Sequence, residues 1–199
     1  MQRVAVLGRG AAGKSVLAAR LGQITGLPVI ELDPLFWKPG PNATPPAEWA
    51  HTQSELLRAQ AWIIDGDLGP YDTALGARLA AADTVIVLDF PLVRCVWQAA
   101  RRSRENADFW RWLIGYRRRS LPLIRRAIAD HAPNADVYVL PGPRAVQGFL
   151  ARVARTKSGS DTPGYHTRPC GRVLRLICAR LAETIHREHP CEQAFDNLE

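Results

Sequence analysis

Cysteine is scarce in this chain of 199 residues: Cys95, Cys170, Cys178 and Cys191 are present, and no two of them form a Cys-x-x-Cys pair. This usage excludes a small disulfide-stabilised fold and indicates reduced thiols in a cytoplasmic protein. No apolar run reaches about 18 residues, and the first run, VAVL, is too short for the core of a signal peptide. We therefore expect neither secretion nor a membrane partner.

Acidic residues are also in the minority. The 26 Lys and Arg residues against 19 Asp and Glu residues give a formal net charge of +7. This excess favours an anionic partner, such as a nucleotide, a phosphorylated metabolite, nucleic acid or an acidic membrane surface. Because 47% of the residues are apolar, the chain can also bury a core of ordinary size.

Five short runs rich in Val and Ile recur along the chain. Each run is apolar on both faces, and the segments between the runs are long enough for crossover helices, so the pattern predicts an α/β fold with buried parallel strands. The predicted strands are 4–7, 28–32, 62–65, 84–89 and 137–140, and the predicted helices are about 14–24, 46–60, 73–81, 91–104, 116–130 and 143–153.

Two insertions and a tail depart from this pattern. The stretch 33–46 contains five prolines and predicts a stiff, semi-extended flap within a region of about 33–60. In the segment 101–120, arginines alternate with aromatic residues. We expect a main domain of residues 1–154, a linker at 155–170 and a C-terminal helical extension at 171–199.

A glycine-rich octet, GRGAAGKS, follows the first predicted strand. Gly8, Gly13, Lys14 and Ser15 match the pattern G-x-x-x-x-G-K-[ST] of a phosphate-binding P-loop. Glycines let successive backbone N–H groups surround an anion, and the helix that follows adds the partial positive charge of its N-terminus. The octet predicts ATP binding, with Lys14 at the β- and γ-phosphates and the Ser15 hydroxyl on Mg²⁺.

Two absences narrow the class of P-loop protein. No asparagine is followed by Lys, as the base-reading NKxD pattern of GTPases requires, and Asp89 is followed by Phe90 and Pro91 instead of the Glu that polarises water in many ATPases. Water is then not the expected nucleophile. A small kinase is left, which must close over both substrates and exclude water.

Several motifs occur together and in order: GRGAAGKS, GLPVIELDPLFW, WIIDGD, VIVLDFP, a segment that ends YRRRS, and VLPGPRAVQGFL. In this combination residues 1–152 resemble the adenylate kinase-like P-loop kinases known as topology modulation proteins, in the nucleoside and nucleotide kinase group. The resemblance implies a P-loop NTPase three-layer sandwich whose five-stranded parallel sheet has the order 2-3-1-4-5, with ATP at the carboxyl ends of the strands. It also implies ATP-dependent phosphoryl transfer to a nucleotide, a nucleoside or another small acceptor.

The resemblance implies a donor site that spans the octet. Pro143 and Arg144, after the last predicted strand, are its candidates for contact with the adenine. The predicted ATP-binding residues are Gly8, Arg9, Gly10, Ala11, Ala12, Gly13, Lys14, Ser15, Val16 and Arg144.

On the acceptor side, the resemblance implies a role for Asp33. It could orient or deprotonate an acceptor hydroxyl, or hold Mg²⁺ through water. Asp89 corresponds to a Walker B carboxylate, so the predicted metal-binding residues are Ser15, Asp33 and Asp89. The family usually reads DGN followed by Tyr where this chain has Asp67 and Leu68, which leaves the acceptor open and adds a negative charge.

The arginines of 101–120 match the family's lid. Mobile guanidinium groups stabilise the charge of a transferring phosphoryl group bidentately. Neighbouring residues of a helix point about 100° apart, so one or two arginines of each triplet are expected to contact phosphate. The candidates are Arg101, Arg102, Arg104, Arg117, Arg118 and Arg119, and the predicted catalytic residues are Lys14, Asp33, Arg101, Arg102, Arg104 and Arg117.

Three other interpretations stay open. Basic residues interleaved with aromatics at 101–126 also suit a nucleic acid partner, in a P-loop ATP-binding protein with little or no kinase activity. The chain could instead bind nucleotide without transfer and act through its C-terminal extension. A metal site in that extension would use His186, His189 and Cys191 near Cys178, although the spacing fits no familiar zinc pattern.

Overall fold

A five-stranded parallel sheet organises the chain in the computed structural model, which describes residues 1–38, 42–102 and 107–158. In chain order the strands are β1 (Arg3–Gly8), β2 (Val29–Glu31), β3 (Trp37–Lys38), β4 (Asn42–Ala43), β5 (Trp62–Asp65), β6 (Thr84–Leu88) and β7 (Asp136–Leu140). The helices are α1 (Lys14–Thr25), α2 (Asp33–Phe36), α3 (Pro46–Leu57), α4 (Leu75–Ala81), α5 (Leu92–Arg102), α6 (Ala107–His131) and α7 (Pro143–Ser158), with a 3₁₀ turn at Gly69–Tyr71.

The sheet has the order β2-β5-β1-β6-β7, and each neighbouring pair is parallel. Because β3 and β4 form a separate antiparallel hairpin, the five sheet strands follow the predicted order 2-3-1-4-5, which is confirmed. The central strands β1, β5 and β6 are almost wholly buried, as the apolar runs predicted. Their carboxyl ends meet at one edge, where β1 leads into the GRGAAGKS loop.

Helices cover both faces of the sheet. One core cluster joins Leu17 of α1 to Ile86 of β6 and Phe149 of α7. The other joins strands of the sheet to Leu79 of α4 and Ile124 of α6. The result is the predicted α/β sandwich of three layers.

Helix α6 is longer than the sequence predicted. It begins at Ala107 and runs without a break to His131, whereas a helix was predicted only from residue 116. The apolar face explains the difference, because residues before and after 116 lie on one buried side of the helix. These buried residues are Leu113, Tyr116, Leu121, Ile124 and Ile128.

The flap after β2 is folded locally, whereas the sequence predicted a semi-extended segment. Asp33–Phe36 form one helical turn with proline in its first turn, a position that tolerates the missing N–H. The hairpin β3–β4 follows, and the Thr44 backbone N–H and hydroxyl donate to the Phe36 carbonyl oxygen at 3.0 and 2.6 Å. Phe36 also packs edge-on against the buried Trp49, with ring centroids 5.0 Å apart.

By its internal contacts the chain divides into two units, Met1–Asp161 and Thr162–Glu199. Helix α7 continues to Ser158, beyond the predicted domain end at residue 154. The rest of the predicted linker, the extension 171–199 and its candidate metal ligands lie outside the described residues. Within the described ranges, no helix has both the length and the apolar character needed to cross a bilayer.

Candidate active site

The GRGAAGKS loop joins β1 to α1 through backbone conformations that favour glycine. Gly8 has a φ of 143° and Gly13 a φ of 88°, while Ala11 adopts a φ of 54°. Gly13 is the N-cap of α1 and supplies no side-chain cap, and the first turn of α1 holds no acidic residue. The first N–H groups of α1 are therefore left for an anion, which the partial positive charge of the helix end also favours.

The two basic residues of the loop have different environments. Lys14 folds back across the loop, and its Nζ donates to the carbonyl oxygens of Gly8 at 3.0 Å and Arg9 at 3.4 Å. The Arg9 side chain is 1% exposed, donates from Nη1 to the Phe90 carbonyl oxygen at 3.4 Å, and lies 5.5 Å from the Tyr116 ring centroid. Because that side chain is used inside the protein, any contribution of Arg9 to ATP binding is left to its backbone.

A cleft of about 220 Å³ opens beside the first turn of α1. Its walls include Ala12, Gly13 and Val16 of the predicted ATP-binding residues, together with Pro143 at the start of α7. Arg144 does not line this cleft, although it was predicted to contact the adenine. Residues that border the cleft but were not predicted from the sequence include Arg20, Arg94 and Gln98.

Asp65, the last residue of β5, lies beside the P-loop and was not predicted as a site residue. It is 4% exposed, and the Ser15 hydroxyl lies close enough to its carboxylate to act on the pKa of Asp65. Burial raises the pKa of Asp65, while Ser15 and the nearby Lys14 ammonium act in the opposite direction. The Asp65 Oδ1 atom is buried and has no hydrogen-bond partner among the described residues.

Strand register explains why further acidic residues lie near Asp65. Glu31 is the register partner of Asp65 in the parallel pair β2–β5, and Asp33 begins α2 two residues later. Both carboxylates add to the upward shift of the Asp65 pKa. The predicted residue Asp33 is exposed and lies within electrostatic reach of Asp65.

Asp67 is held by two donors. Its Oδ1 accepts from the Gly69 N–H at 3.0 Å, and its Oδ2 accepts from the Tyr116 hydroxyl at 3.0 Å. Burial raises the pKa of Asp67, and the charge of Lys14 is the largest effect that opposes it. Burial, followed by the charge of Asp67, raises the pKa of Tyr116 above its ordinary range. Asp67, which stands where the family that the sequence resembles usually has Asn, is thus joined to helix α6.

Asp89, predicted as a metal ligand, accepts hydrogen bonds from a predicted lid arginine. Arg117 Nε donates to Asp89 Oδ1 at 2.9 Å, and Arg117 Nη2 donates to Asp89 Oδ2 at 3.1 Å. Both carboxylate oxygens are therefore occupied, and the interaction raises the pKa of Arg117. The carboxylate that lies beside Ser15 is Asp65.

Helix α6 covers the P-loop with aromatic side chains. A Cβ added to Gly10 would lie 2.6 Å from Trp112 Cζ3 and 2.9 Å from Phe109 Cε2. A Cβ added to Gly69 would lie 2.8 Å from Trp112 Nε1. Two glycines thus permit the close approach of α6, and the lid aromatics lie against the predicted phosphate cradle.

The other predicted lid arginines are not brought to the P-loop by any contact in the described chain. Arg101 is exposed, and its guanidinium lies 4.4 Å from the Trp97 ring centroid. Arg118 and Arg119 are exposed on α6. The Arg102 side chain and all of Arg104 lie outside what the structure describes.

A second cleft, of about 250 Å³, lies between the flap and the 3₁₀ turn. Phe36, Thr44, Tyr71 and Thr73 are among its lining residues. Trp37 stands beside it, edge-on to Tyr71, with ring centroids 5.6 Å apart. The aromatic residues of the flap therefore form both a local core, through Phe36, and an exposed wall.

The predicted Mg²⁺ fits the residues around Ser15. The Ser15 hydroxyl and the Asp65 carboxylate lie together, and Asp65 Oδ1 is a buried oxygen without a partner. Mg²⁺ takes oxygen ligands and is usually bound by one or two carboxylates plus water and substrate phosphates. In residues 1–38, 42–102 and 107–158, no group of three or more His, Cys, Asp or Glu side chains is arranged to hold a metal ion.

Comparisons with known proteins bear on the fold. No protein-family model and no curated protein matches the chain. A shikimate kinase from Acinetobacter baumannii, solved in complex with shikimate, matches with a TM-score of 0.53 and 16% identity, over 82% of this chain and 96% of that one. This likeness shows that the two chains share an α/β fold.

Two further solved structures match less well. A gluconokinase from Sinorhizobium meliloti 1021 has a TM-score of 0.44 and 13% identity, over 80% of this chain and 97% of that one. A shikimate kinase from Aquifex aeolicus vf5 has a TM-score of 0.43 and 15% identity, over 81% of this chain and 99% of that one.

Proposed function

We propose that this protein transfers the γ-phosphoryl group of ATP to a small-molecule acceptor. The observation that carries the proposal is the meeting, at one edge of the sheet, of the uncapped N-terminus of α1, the Lys14 ammonium and the Ser15–Asp65 pair. Helix N-termini and lysines bind phosphate, and a hydroxyl beside a carboxylate suits the Mg²⁺ that accompanies ATP.

On the donor side, each group of the P-loop has a distinct role. Lys14 exchanges the carbonyl oxygens of Gly8 and Arg9 for phosphate oxygens when ATP enters. The cleft at Val16 and Pro143 takes the nucleoside, and Arg20 and Arg94 add positive charge to its walls. Binding therefore depends on backbone N–H groups and a few cations, as is usual where phosphate is recognised.

Ser15 and Asp65 would hold Mg²⁺, with Asp33 close enough to act on it through water. The ion, when bound, would neutralise charge on the β- and γ-phosphates. This assignment replaces Asp89 with Asp65 in the predicted set of ligands, because both Asp89 oxygens accept from Arg117.

In the transfer itself, an acceptor oxygen forms a bond to the γ-phosphorus while the bond from that phosphorus to the β–γ bridging oxygen breaks. ADP leaves with the bonding electron pair, and the acceptor proton goes to a carboxylate at the acceptor edge, for which Asp33 is our candidate. The Trp112 and Phe109 side chains on Gly10 exclude water from the cradle. Arg101, Arg102, Arg104 and Arg117 are the lid cations that we expect to stabilise the transferring group.

The order and content of the motifs support a finer assignment. GRGAAGKS, ELD, VIVLDFP and YRRRS favour the topology modulation group of adenylate kinase-like proteins. The low cysteine content favours action in the cytoplasm.

The proposed function is tested by ADP release from ATP and Mg²⁺ across a panel of nucleosides, nucleotides and small alcohols. Lys14→Ala should lower the acceptor-dependent rate at least about 100-fold, because it removes a cation that stabilises the transferring charge. Arg152→Ala, an exposed cation on α7, is the matched control and should leave the rate unchanged. Tight ATP binding without acceptor-dependent ADP release would favour instead a nucleotide-binding protein that has lost transfer.

A second candidate function, nucleic acid binding, is favoured by one observation on α6. Arg111, Arg118 and Arg125 are spaced by seven residues, lie on one side of the helix and are exposed, with Arg119 and Arg126 beside them. A stripe of this kind can bind a phosphate backbone. Titration with short DNA at two salt concentrations distinguishes the two functions: a steeply salt-dependent affinity that survives Lys14→Ala would count against the kinase.

A further inference from the structure

We infer that the acceptor is a hydroxyl compound without negative charge, either uncharged or cationic, with a flat or apolar face that packs against Trp37 and Tyr71. This inference rests on the proposed phosphoryl transfer and names the class of molecule that receives the phosphate. Three features of the segment from β2 to α4 support it: its charges, one unpaired buried oxygen and its exposed aromatic wall.

Four carboxylates lie at or just beyond the carboxyl ends of β2 and β5, near Lys14 of the P-loop. Glu31 and Asp33 are exposed at the end of β2 and act electrostatically on the buried Asp65. Asp67 follows in the next turn of chain and lies within electrostatic reach of Lys14. An acceptor with a phosphate or carboxylate group would have to approach this set of like charges, which disfavours its binding.

Basic side chains in the same segment are already paired. Between residues 29 and 81 the only Lys and Arg residues are Lys38, Arg58 and Arg78. Lys38 pairs with Glu48 at 2.9 Å, Arg58 pairs with its helix neighbour Glu55, and the fully buried Arg78 pairs with Asp72. Recognition of an anionic acceptor calls for a free guanidinium or ammonium group, and the described part of this segment supplies none.

The unpaired oxygen of Asp65, which we assign to hydrated Mg²⁺, also disfavours an anionic group beside it. Asp65 is 4% exposed, and its Oδ1 atom has no hydrogen-bond partner among the described residues. A buried carboxylate oxygen is stabilised by a donor. A hydroxyl group, an ammonium group or a hydrated cation can donate to it, whereas a phosphate or carboxylate group offers only further lone pairs.

Aromatic residues in and beside the second cleft suit the rest of the acceptor. The Trp37 and Tyr71 residues are 40% and 53% exposed, although both pack against Phe36. Aromatic rings bind flat or apolar groups, and their faces also attract cations. The cleft of about 250 Å³ is smaller than the roughly 300–1,000 Å³ of sites for drug-sized ligands, so the acceptor is a small molecule.

An uncharged acceptor also gives Asp33 a defined task. The acceptor hydroxyl oxygen forms its bond to the γ-phosphorus, the bond to the bridging oxygen breaks, and ADP takes the electron pair. The hydroxyl proton then has to go to a base, and Asp33 is an exposed carboxylate in the same helical turn as Phe36, which lines the second cleft. A phosphate acceptor, already ionised, would not need that base.

The test compares matched pairs of acceptors in the full chain with ATP and Mg²⁺. The pairs are nucleosides with their 5′-monophosphates, sugar alcohols with their phosphates, and amino alcohols with hydroxy acids of equal length. We expect the uncharged or cationic member of the productive pair to have a kcat/KM at least about 100-fold higher, measured by ADP release above ATP alone. A higher kcat/KM for the phosphorylated or carboxylated member would overturn the inference and leave the proposed phosphoryl transfer intact.

Variants add a readout that does not depend on which pair is productive. Glu31→Gln removes an exposed negative charge. It should lower the ratio of kcat/KM between the uncharged and the anionic member of a pair several-fold, whereas Glu55→Gln on α3 should leave that ratio unchanged.

Trp37→Leu should raise the KM of the acceptor about tenfold without changing the KM of ATP. Equal effects of Trp37→Leu on both KM values would refute the aromatic contact. Absence of ADP release with every pair, in protein that binds ATP, would overturn the proposed function and this inference together.

Discussion

At the scale of single residues, Asp65 meets opposing requirements. Burial raises its pKa above the ordinary 3.8, so the folded state binds the proton more tightly than the unfolded chain does. The free energy of unfolding therefore falls as the pH rises from the unfolded pKa to the folded pKa, and this loss persists at neutral pH. A metal-binding carboxylate, however, must be ionised. The protein thus accepts a cost in stability at this position.

Asp65→Asn should stabilise the fold and abolish most of the phosphoryl transfer. We expect the free energy of unfolding near neutral pH to rise by about 1–2 kcal/mol, because a buried charge is removed without a change of shape. Urea unfolding measures the gain, which should shrink as the pH is lowered through 3.8, because the carboxyl is protonated in both states below that pH. Asp136→Asn at the exposed start of β7 is the control, and a loss of stability in Asp65→Asn alone would contradict the account.

Tyr116→Phe should destabilise the protein through Asp67. The substitution removes the hydroxyl that donates to Asp67 Oδ2 at 3.0 Å and leaves a buried carboxylate oxygen without that donor. The expected cost is about 1–3 kcal/mol. Losing the donor also raises the Asp67 pKa further, so the cost should be larger at high than at low pH when measured by urea unfolding. Tyr71→Phe, on an exposed ring, should cost less than about 0.5 kcal/mol, and similar losses in both variants would count against this role of Tyr116.

At the scale of elements, helix α6 links the lid to the nucleotide site. Trp112 and Phe109 pack against Gly10, Tyr116 donates to Asp67, and Arg117 pairs with Asp89. One rigid element therefore contacts the P-loop, the end of β6 and the turn after β5. A shift in the position of α6 should therefore alter all three of these parts together.

Gly10→Ala tests this close packing. The Gly10 backbone does not have a positive φ, so the effect of alanine comes from its Cβ, which would lie 2.6 Å from Trp112 Cζ3. Overpacking of this kind costs about 1–3 kcal/mol. Gly148→Ala in α7 has open space around the added Cβ and should instead stabilise the protein by about 0.4–1 kcal/mol.

Urea unfolding compares the two alanine variants. In the double variant Gly10→Ala/Trp112→Leu, the smaller leucine side chain should restore part of the free energy of unfolding that Gly10→Ala removes, because the two residues share one contact. Strictly additive losses would show that Gly10 and Trp112 are not in contact.

Elements were easier to predict from the sequence than contacts. The strand order followed from the family resemblance, and the strands themselves from apolar runs such as TVIVLD and WIID. Asp65 was missed because its importance depends on the register between β2, β5 and the P-loop, which no local pattern shows. The only available signal was a charged residue at the end of an apolar run, the same signal that singled out Asp89. The start of α6 was missed because the arginines of 101–120 were matched to the family's lid, although Leu113, which precedes residue 116, belongs to the buried face of the helix.

At the scale of the whole molecule, the two sides of the sheet edge differ in charge. Lys14 of the P-loop, with Arg20 and Arg94 at the first cleft, lies on the proposed nucleotide side, while Glu31 and Asp33 lie on the proposed acceptor side. The net charge of +7 favours the approach of ATP. The binding of an uncharged acceptor would not depend on this net charge.

Salt should therefore affect the two substrates differently. Between low and physiological ionic strength the KM of ATP should rise several-fold, because salt screens exposed charges. The KM of an uncharged acceptor should stay within about twofold, since no net charge is screened. Steady-state kinetics in a salt series measure both values, and a parallel rise in the two would contradict this division of charge.

Transfer of label from γ-labelled ATP tests the central claim most directly. The full chain is incubated with Mg²⁺ and the acceptor panel, and the label is followed in ATP, inorganic phosphate and organic phosphates, with Lys14→Ala and Asp65→Asn in parallel. The account predicts label in an organic acceptor, little in inorganic phosphate, and a loss of at least about 100-fold in both variants. Label that stays in ATP or appears only as inorganic phosphate would contradict it.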